Sequence, residues 1–135
     1  MSNNYLVLQI KLLKELYSET DNLDKLELSN IILNDLLKLI NKYNIYYELN
    51  EYIEYEYIKN IQKEINCIYL KINNIFLKNE LEEVLDLLIK TYSSNKFKYL
   101  LYIYDNNKMS SIRINKKGKK IYTKNQKKFT VIRLI

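Results

Sequence analysis

The side chains that could do chemistry in this chain are few, because it contains no histidine and a single cysteine, Cys67. Without histidine, the commonest general base is missing, together with Ser-His and Cys-His nucleophiles and histidine-based metal sites. Cys67 lies in an apolar stretch, where a thiol is generally inert packing. One cysteine also rules out a disulfide within the chain and fits a reducing compartment. We therefore expect Cys67 to be a buried structural residue.

Acidic residues are the remaining candidates for a metal site. Glu82 and Asp86 lie one helical turn apart, in a cluster that includes Glu80 and Glu83. No second acidic cluster at a matching spacing accompanies them, and acids are favoured at the start of a helix because they face the positive end of its dipole. We therefore predict neither a metal nor another cofactor.

Other catalytic motifs are equally poorly supported. A nuclease with an acid on one strand and Glu-x-Lys on the next needs two acids in its sheet, but the C-terminal region has only Asp105. Gly118, the single glycine, cannot alone build a phosphate-binding loop. The sequence therefore predicts a protein that is not an enzyme.

Charge is distributed very unevenly along the chain, whose formal net charge is +6. Residues 1–95 carry ten lysines and fifteen acids, whereas residues 96–135 carry ten lysines, two arginines and one acid. The abundance of Lys, Asn, Ile and Tyr is typical of an AT-rich genome, such as those of low-GC bacteria, their phages and plasmids. Because such a bias acts on both parts alike, it does not explain the asymmetry, which is the one functional signal.

The acidic part reads mainly as helices. Residues 5–13 fit a helix or an alternating strand, and this choice stays open. Ser29 is a candidate N-cap for a central helix, and Asn79 with Glu82 forms a capping box for another. Between them we predict short strands at 44–49 and 67–72 and a helix from Ile53 to about residue 66, although 54–57 also alternates like a strand.

The basic part reads as a β-meander, with strands at 97–104, 109–114, 120–124 and 128–134 separated by polar turns. The predicted fold class is therefore α+β: about four N-terminal helices, with one or two short strands between them, pack on an antiparallel meander of about four strands. We predict one domain over 1–135, mainly helical and acidic over 1–95, and basic over 96–135.

The candidate binding site is a solvated face of this meander. If strands alternate between faces, Arg113 shares that face with the polar residues of the next strands, while Ile112, Ile114 and Ile121 point to the core. Such a face suits a phosphate backbone by charge and donor type. The candidate site residues are Arg113, Lys116, Lys117, Lys119, Lys120, Tyr122, Lys124, Lys127 and Lys128.

Three interpretations of this face remain open: contact with nucleic acid or another polyanion, contact with an acidic protein surface, and simple solvation of strands that lysine protects. The leading hypothesis is a small nucleic-acid-binding protein. The alternative is a phage or mobile-element inhibitor that binds a host defence nuclease or a similar nucleic-acid-binding protein. A homodimer is compatible with an acidic and a basic half.

Two further features bear on partners and location. Glu48, Glu51, Glu54 and Glu56 alternate with tyrosines in a stretch that fits either a partner-facing surface or a solvated helix face. No apolar run approaches the roughly 18 residues of a membrane helix, and the N-terminus lacks the layout of a signal peptide. We therefore expect a cytoplasmic protein with no membrane contact.

Overall fold

A computed structural model of the chain describes residues 4–12, 25–92, 96–115 and 118–126. Six strands and two helices follow one another in the order β1 (Tyr5–Leu12), α1 (Lys25–Tyr43), β2 (Tyr47–Ile58), β3 (Ile61–Ile72), α2 (Lys78–Tyr92), β4 (Phe97–Asp105), β5 (Lys108–Ile114) and β6 (Lys120–Gln126). A short 3-10 turn, Ile75–Leu77, precedes α2. None of the described helices is both long enough and apolar enough to cross a membrane.

The strands form one sheet in the order β2-β3-β1-β4-β5-β6, and every neighbouring pair is antiparallel. The elements from β1 to β4 have the βαββαβ order of the ferredoxin-like, or split βαβ, motif. Strands β5 and β6 extend this sheet beyond β4. The topology therefore places β2 and β6 at opposite ends of the described sheet.

The main core lies between the sheet and the two helices. Every second residue of β1 points to this side, and Leu6, Leu8, Ile10 and Leu12 are fully buried. The helices contribute apolar stripes that include Leu28, Ile32, Leu36 and Ile40 from α1 and Leu81, Leu85 and Leu88 from α2. The apolar periodicity of the sequence predicts that Leu36, Leu37, Ile40, Leu85 and Leu88 are buried; this is confirmed for all of them except Leu37, which is half-buried.

The opposite face of the central strands is also apolar. Val7, Leu100, Tyr102 and Met109 form a second buried cluster, which Tyr5, Tyr69 and Tyr104 flank. The rings of Tyr5 and Tyr104 stack with 4.5 Å between their centroids, and the Lys71 ammonium lies 4.6 Å from the centroid of the Tyr5 ring. These tyrosines therefore pack against one another instead of offering free ring faces as stacking platforms.

The predicted fold class is wrong for the N-terminal part, whose described residues form two helices and three strands instead of about four helices with one or two short strands between them. Residues 5–12 form the central strand β1, paired along its length with β3 and β4. The helix predicted from Ile53 is instead the hairpin β2–β3, turned by Lys59 and Asn60 with φ of 52° and 67°. Both segments fit two periodicities, and pairing with neighbouring strands decides between them.

Two predicted helix caps are also wrong. α1 begins at Lys25, so Ser29 lies inside the helix and is buried. α2 begins at Lys78, so Asn79 lies in its first turn. Asn74 instead caps the preceding 3-10 turn, because its side chain accepts a 2.8 Å hydrogen bond from the backbone N–H of Phe76.

The C-terminal part contains consecutive hairpins at the predicted positions. β4, β5 and β6 correspond to the first three predicted strands. Asn106 and Asn107 turn β4 into β5 with φ of 50° and 70°, a left-handed pair that asparagine tolerates better than most residues. The fourth predicted strand, 128–134, lies outside the described residues.

Candidate functional site

The register of β5 and β6 decides which candidate residues share a face. Arg113 pairs with Ile121, whereas Lys120 pairs with Ile114 and Tyr122 with Ile112. Paired residues in an antiparallel sheet point to the same side, and Ile112 and Ile114 belong to the core between the sheet and the helices. Lys120, Tyr122 and Lys124 therefore lie on the helix side of the sheet, and Arg113 lies on the opposite side. The prediction that they share one solvated face is wrong.

Lys120 is tied to helix α2. Its Nζ lies 2.6 Å from Glu82 Oε2 and 2.6 Å from Asp86 Oδ2. The Tyr122 hydroxyl donates to Glu82 Oε2 at 3.0 Å, and the Tyr99 hydroxyl donates to Asp86 Oδ1 at 3.4 Å. The acids that the sequence marked as metal candidates therefore hold β6 against α2.

The pKa values of Lys120 and Glu82 shift in the directions expected for two oppositely charged groups that bind each other. Burial alone would lower the pKa of Lys120, but its hydrogen bonds to Asp86 and Glu82 outweigh that effect and raise it. Burial alone would raise the pKa of Glu82, but its hydrogen bonds to Lys120 and Tyr122 lower it. Both groups are therefore charged at neutral pH and bound to each other, which leaves Lys120 poorly placed to contact a separate anion.

Other cations of the hairpin are exposed. We define the basic hairpin as β5, β6 and residues 115–119 between them. The side chains of Lys108, Arg113, Lys119 and Lys124 are all exposed. Lys116, Lys117, Lys127 and Lys128 lie outside the described residues.

The turn that carries Lys119 is fixed by Asn115. The backbone N–H of Lys119 donates to Asn115 Oδ1 at 2.9 Å, and the Asn115 N–H donates to the carbonyl oxygen of Lys119 at 2.9 Å. Gly118 adopts φ 78°, a left-handed conformation that costs glycine little. These backbone hydrogen bonds place Lys119 at the end of the hairpin, where its side chain is exposed.

Acidic residues are concentrated at the other end of the sheet. Strands β5 and β6 contain no Asp or Glu, whereas β2 contains Glu48, Glu51, Glu54 and Glu56 and no Lys or Arg. Five strand spacings of about 4.8 Å separate β2 from β6 by roughly 24 Å. This exceeds the Debye length of about 8 Å at physiological ionic strength, so β2 does not neutralise the basic hairpin.

One lysine from the central strand β1 forms ion pairs with glutamates of β2. Lys11 of β1 is only 5% exposed, and its Nζ lies 2.6 Å from Glu56 Oε1 and 3.4 Å from Glu54 Oε2. Burial would lower the pKa of Lys11, but the hydrogen bond and the charge of Glu56 outweigh it and raise the pKa. This side chain joins the long hairpin β2–β3 to the central strand.

Cys67 pairs with Lys11 on one side and with Tyr52 on the other. Its predicted burial is confirmed, because only 2% of it is exposed. Burial raises the pKa of Cys67 to about 11 and the pKa of Tyr52 to about 12. Cys67 is therefore a neutral thiol at neutral pH, and its lack of reactivity stays a prediction.

Neither a metal cluster nor a relative guides the assignment of function. Among the side chains that the structure describes, no three His, Cys, Asp or Glu residues come together in a way that could hold a metal ion. Comparisons of the chain with protein-family models, with curated proteins and with solved structures give no match. Function must therefore be inferred from the charge and exposure of the surfaces described above.

Proposed function

We propose that this protein is a small, non-enzymatic binding protein that contacts the phosphate backbone of nucleic acid, or a similar polyanion, through the exposed cations of the basic hairpin. The observation that carries the proposal is the exposure of Arg113, Lys119 and Lys124 on and between two strands without acids. Lys and Arg that neutralise phosphates supply most of the affinity of sequence-independent binding.

The arrangement of these cations favours contact around the hairpin instead of across one flat face. Arg113 and Lys124 lie on opposite sides of the two-stranded ribbon, and Lys119 lies at its turn. The exposed cations lie at the turn and at the end of the sheet, where they can contact the phosphates of a nucleic-acid backbone, and contacts of this kind carry no sequence information.

The sequence predicted that Lys120 and Tyr122 contact the binding partner, but in this proposal they position the hairpin instead. They hold the hairpin on α2 through Glu82 and Asp86, so their contribution to binding is to position the exposed cations. The proposed contact residues are therefore Arg113, Lys119 and Lys124 among the described residues. Lys116, Lys117, Lys127 and Lys128 remain contact candidates by sequence.

The test is the salt dependence of duplex DNA binding by the triple variant with Arg113, Lys119 and Lys124 each replaced by alanine. Each lost phosphate contact should flatten the slope of log affinity against log salt by about 0.9, so the variant should lose about 2.7 in slope on every sequence tested. The matched control replaces three exposed lysines elsewhere, Lys38, Lys59 and Lys90, and removes the same charge.

Two results would count against the proposal. If the wild-type protein binds neither duplex nor single-stranded nucleic acid at about 50 mM salt, direct nucleic-acid binding is wrong. The same triple variant then tests the alternative, in which the basic hairpin binds an acidic or nucleic-acid-binding protein as an inhibitor. If the two triple variants lose the same slope, net charge and not the basic hairpin governs binding.

A further inference from the structure

The outer edge of β2 is a second surface with a defined chemistry. β2 pairs with β3 along all of its 12 residues and is the first strand in the sheet order. Within the described part of the chain, no strand pairs with its other edge. As far as the described strands go, the backbone groups along that edge have no strand partner and can bond an added strand.

The turn between β2 and β3 shows which backbone groups these are. In a hairpin with a two-residue turn, the two residues beside the turn exchange backbone hydrogen bonds, and bonded pairs then alternate with pairs whose N–H and C=O point away. Ile58 and Ile61 are the pair beside Lys59 and Asn60. The outward N–H and C=O groups therefore belong to every second residue, namely Tyr47, Leu49, Glu51, Ile53, Tyr55 and Tyr57.

This edge lacks the usual protection against strand addition. Terminal strands are commonly protected by lysine, proline or a β-bulge. β6, the last described strand, carries Lys120 and Lys124, and its pairing with β5 is irregular between Met109 and Ser111. β2 has no lysine, no proline and an unbroken register with β3.

The two faces of β2 differ, as a specific binding edge requires. Ile53, Tyr55 and Tyr57 lie on the helix side and are 48%, 55% and 73% exposed. Glu48, Glu54 and Glu56 lie on the other side, where Lys11 contacts Glu54 and Glu56 and Lys71 of β3 stands opposite Glu48. An added strand would meet these apolar side chains and Glu51 on the helix side, and the carboxylates of Glu48, Glu54 and Glu56 on the other.

The same charges disfavour pairing of β2 with itself. In a symmetric pair centred on Glu51, Glu51 would stand opposite its own copy, and Glu48 would stand opposite Glu54 of the second copy. Like charges directly opposite one another destabilise a sheet, and such repulsion selects against wrong partners. The acidic side chains therefore favour a basic strand over a second β2.

We propose that the outer edge of β2 binds an extended segment of a partner protein in which lysine or arginine alternates with apolar residues. The segment adds to the sheet as a seventh neighbour of the described strands, beside β2. Its backbone bonds the outward groups of Glu51, Ile53 and Tyr55, its apolar residues contact Ile53, Tyr55 and Tyr57, and its cations face Glu48 and the neighbouring carboxylates. This surface is separate from the basic hairpin, so it does not depend on nucleic-acid binding.

The probe is a synthetic peptide of about twelve residues, the length of β2, that alternates lysine with valine or threonine. One control peptide has glutamate in place of lysine, and a second keeps every lysine but has proline at alternate positions, so that it cannot complete a ladder. We expect the lysine peptide to bind and both controls to bind at least about tenfold more weakly.

Amide hydrogen exchange locates the contact. The amides of Glu51, Ile53 and Tyr55 should become protected when the lysine peptide binds, whereas those of Tyr52 and Glu54, already bonded to β3, should not change. Equal binding of the proline peptide, or protection confined to other strands, would overturn strand addition. Concentration-dependent self-association that protects the same amides without peptide would assign the edge to a second copy and overturn the partner-strand proposal.

A charge-reversal variant distinguishes a change in peptide preference from a loss of binding that misfolding causes. Glu48 and Glu51 do not bind Lys11, so Glu48→Lys with Glu51→Lys leaves that ion pair in place. This variant should prefer the glutamate peptide over the lysine peptide, a reversal that an unfolded chain cannot produce. An unchanged preference would show that the carboxylates of β2 do not select the partner.

Discussion

Each end of the described sheet has one lysine that is ion-paired with acids and further charged side chains that are exposed. The exposed side chains are cations at the basic hairpin and carboxylates at β2. At the basic hairpin, Lys120 is bound by Glu82 and Asp86 of α2, while Arg113, Lys119 and Lys124 stay exposed. At β2, Lys11 is buried beside Glu54 and Glu56, while Glu48 and Glu51 stay exposed. Each end therefore uses one ion-paired lysine to attach a hairpin to the rest of the fold. The charged side chains outside these ion pairs are the ones that a partner can contact.

This comparison shows that a run of like charges is not one functional unit. Neighbours such as Lys119 and Lys120 differ in role because one lies in a turn and the other points to the helix α2. The position of the opposite charge, which comes from distant parts of the chain, decides which lysine is structural. The predictions below test this division, beginning with the largest expected effect.

The first prediction concerns the helix that carries the two acids. Leu85 is fully buried in α2, so Leu85→Ala should lower the free energy of unfolding by about 2 to 5 kcal/mol, through lost apolar burial and the cavity left behind. Leu87 of the same helix is 65% exposed, and Leu87→Ala should cost less than about 0.5 kcal/mol. Denaturant titration measures both. Equal losses would mean that α2 presents a different face to the sheet.

The second prediction separates two lysines on the same strand. Lys120→Ala breaks a partly buried network and leaves Glu82 without its cation, so we expect a loss of about 1 to 3 kcal/mol in unfolding free energy. Lys124 is exposed, and Lys124→Ala should change stability by no more than about 0.5 kcal/mol.

DNA binding should show the reverse order for these two variants. Lys124→Ala should flatten the salt slope by about 0.9, whereas Lys120→Ala should change it much less, because its charge is already neutralised. Both variants are measured by denaturant titration and by DNA titration at several salt concentrations. If Lys120→Ala flattens the slope as much as Lys124→Ala does, the ion pair with α2 does not withhold Lys120 from DNA.

The third prediction is the pH dependence of the same network. Because the pKa of Glu82 is lower in the folded state than its ordinary value of 4.5, its contribution to stability is complete above pH 4.5 and disappears as the pH falls through the lowered value. Lys120 has a raised pKa, so its contribution is complete below 10.5 and disappears only as the pH rises through the raised value. Thermal unfolding at several pH values should show the wild type losing its advantage over Glu82→Gln in acid. A constant difference across that range would contradict this coupling.

Two parts of this fold could be predicted from the sequence, because each depends on residues that are close together in the chain. The turns at Asn106 and at Gly118 predict the C-terminal hairpins, because few residues accept a left-handed backbone. The Leu81, Leu85 and Leu88 spacing predicts the buried stripe of α2, since only a helix brings these three to one side.

The misplaced elements have non-local causes. Residues 5–13 and 54–57 fit helical and strand periods alike, and contacts with distant strands select the strand for the described residues of both. The face of Lys120 depends on its register with β5, and a shift of one residue reverses the face of every side chain. Only the acids at Glu82 and Asp86, set apart by their spacing in α2, could have indicated a partner for that lysine.

The last and smallest effect is expected at Cys67, which lies between Lys11 and Tyr52 near the acidic end. With its pKa raised to about 11 by burial, roughly one thiol in ten thousand is ionised at pH 7, and only the thiolate attacks a disulfide reagent. Native protein should therefore react slowly with an uncharged disulfide reagent, and the rate should rise sharply on unfolding. Cys67→Ala should bind DNA and the lysine peptide as the wild type does, because the thiol is buried in β3 and is part of neither the outer edge of β2 nor the basic hairpin. Rapid labelling of the folded protein, or a folded Cys67→Ala variant that has lost either binding activity, would give this residue a function that its burial argues against.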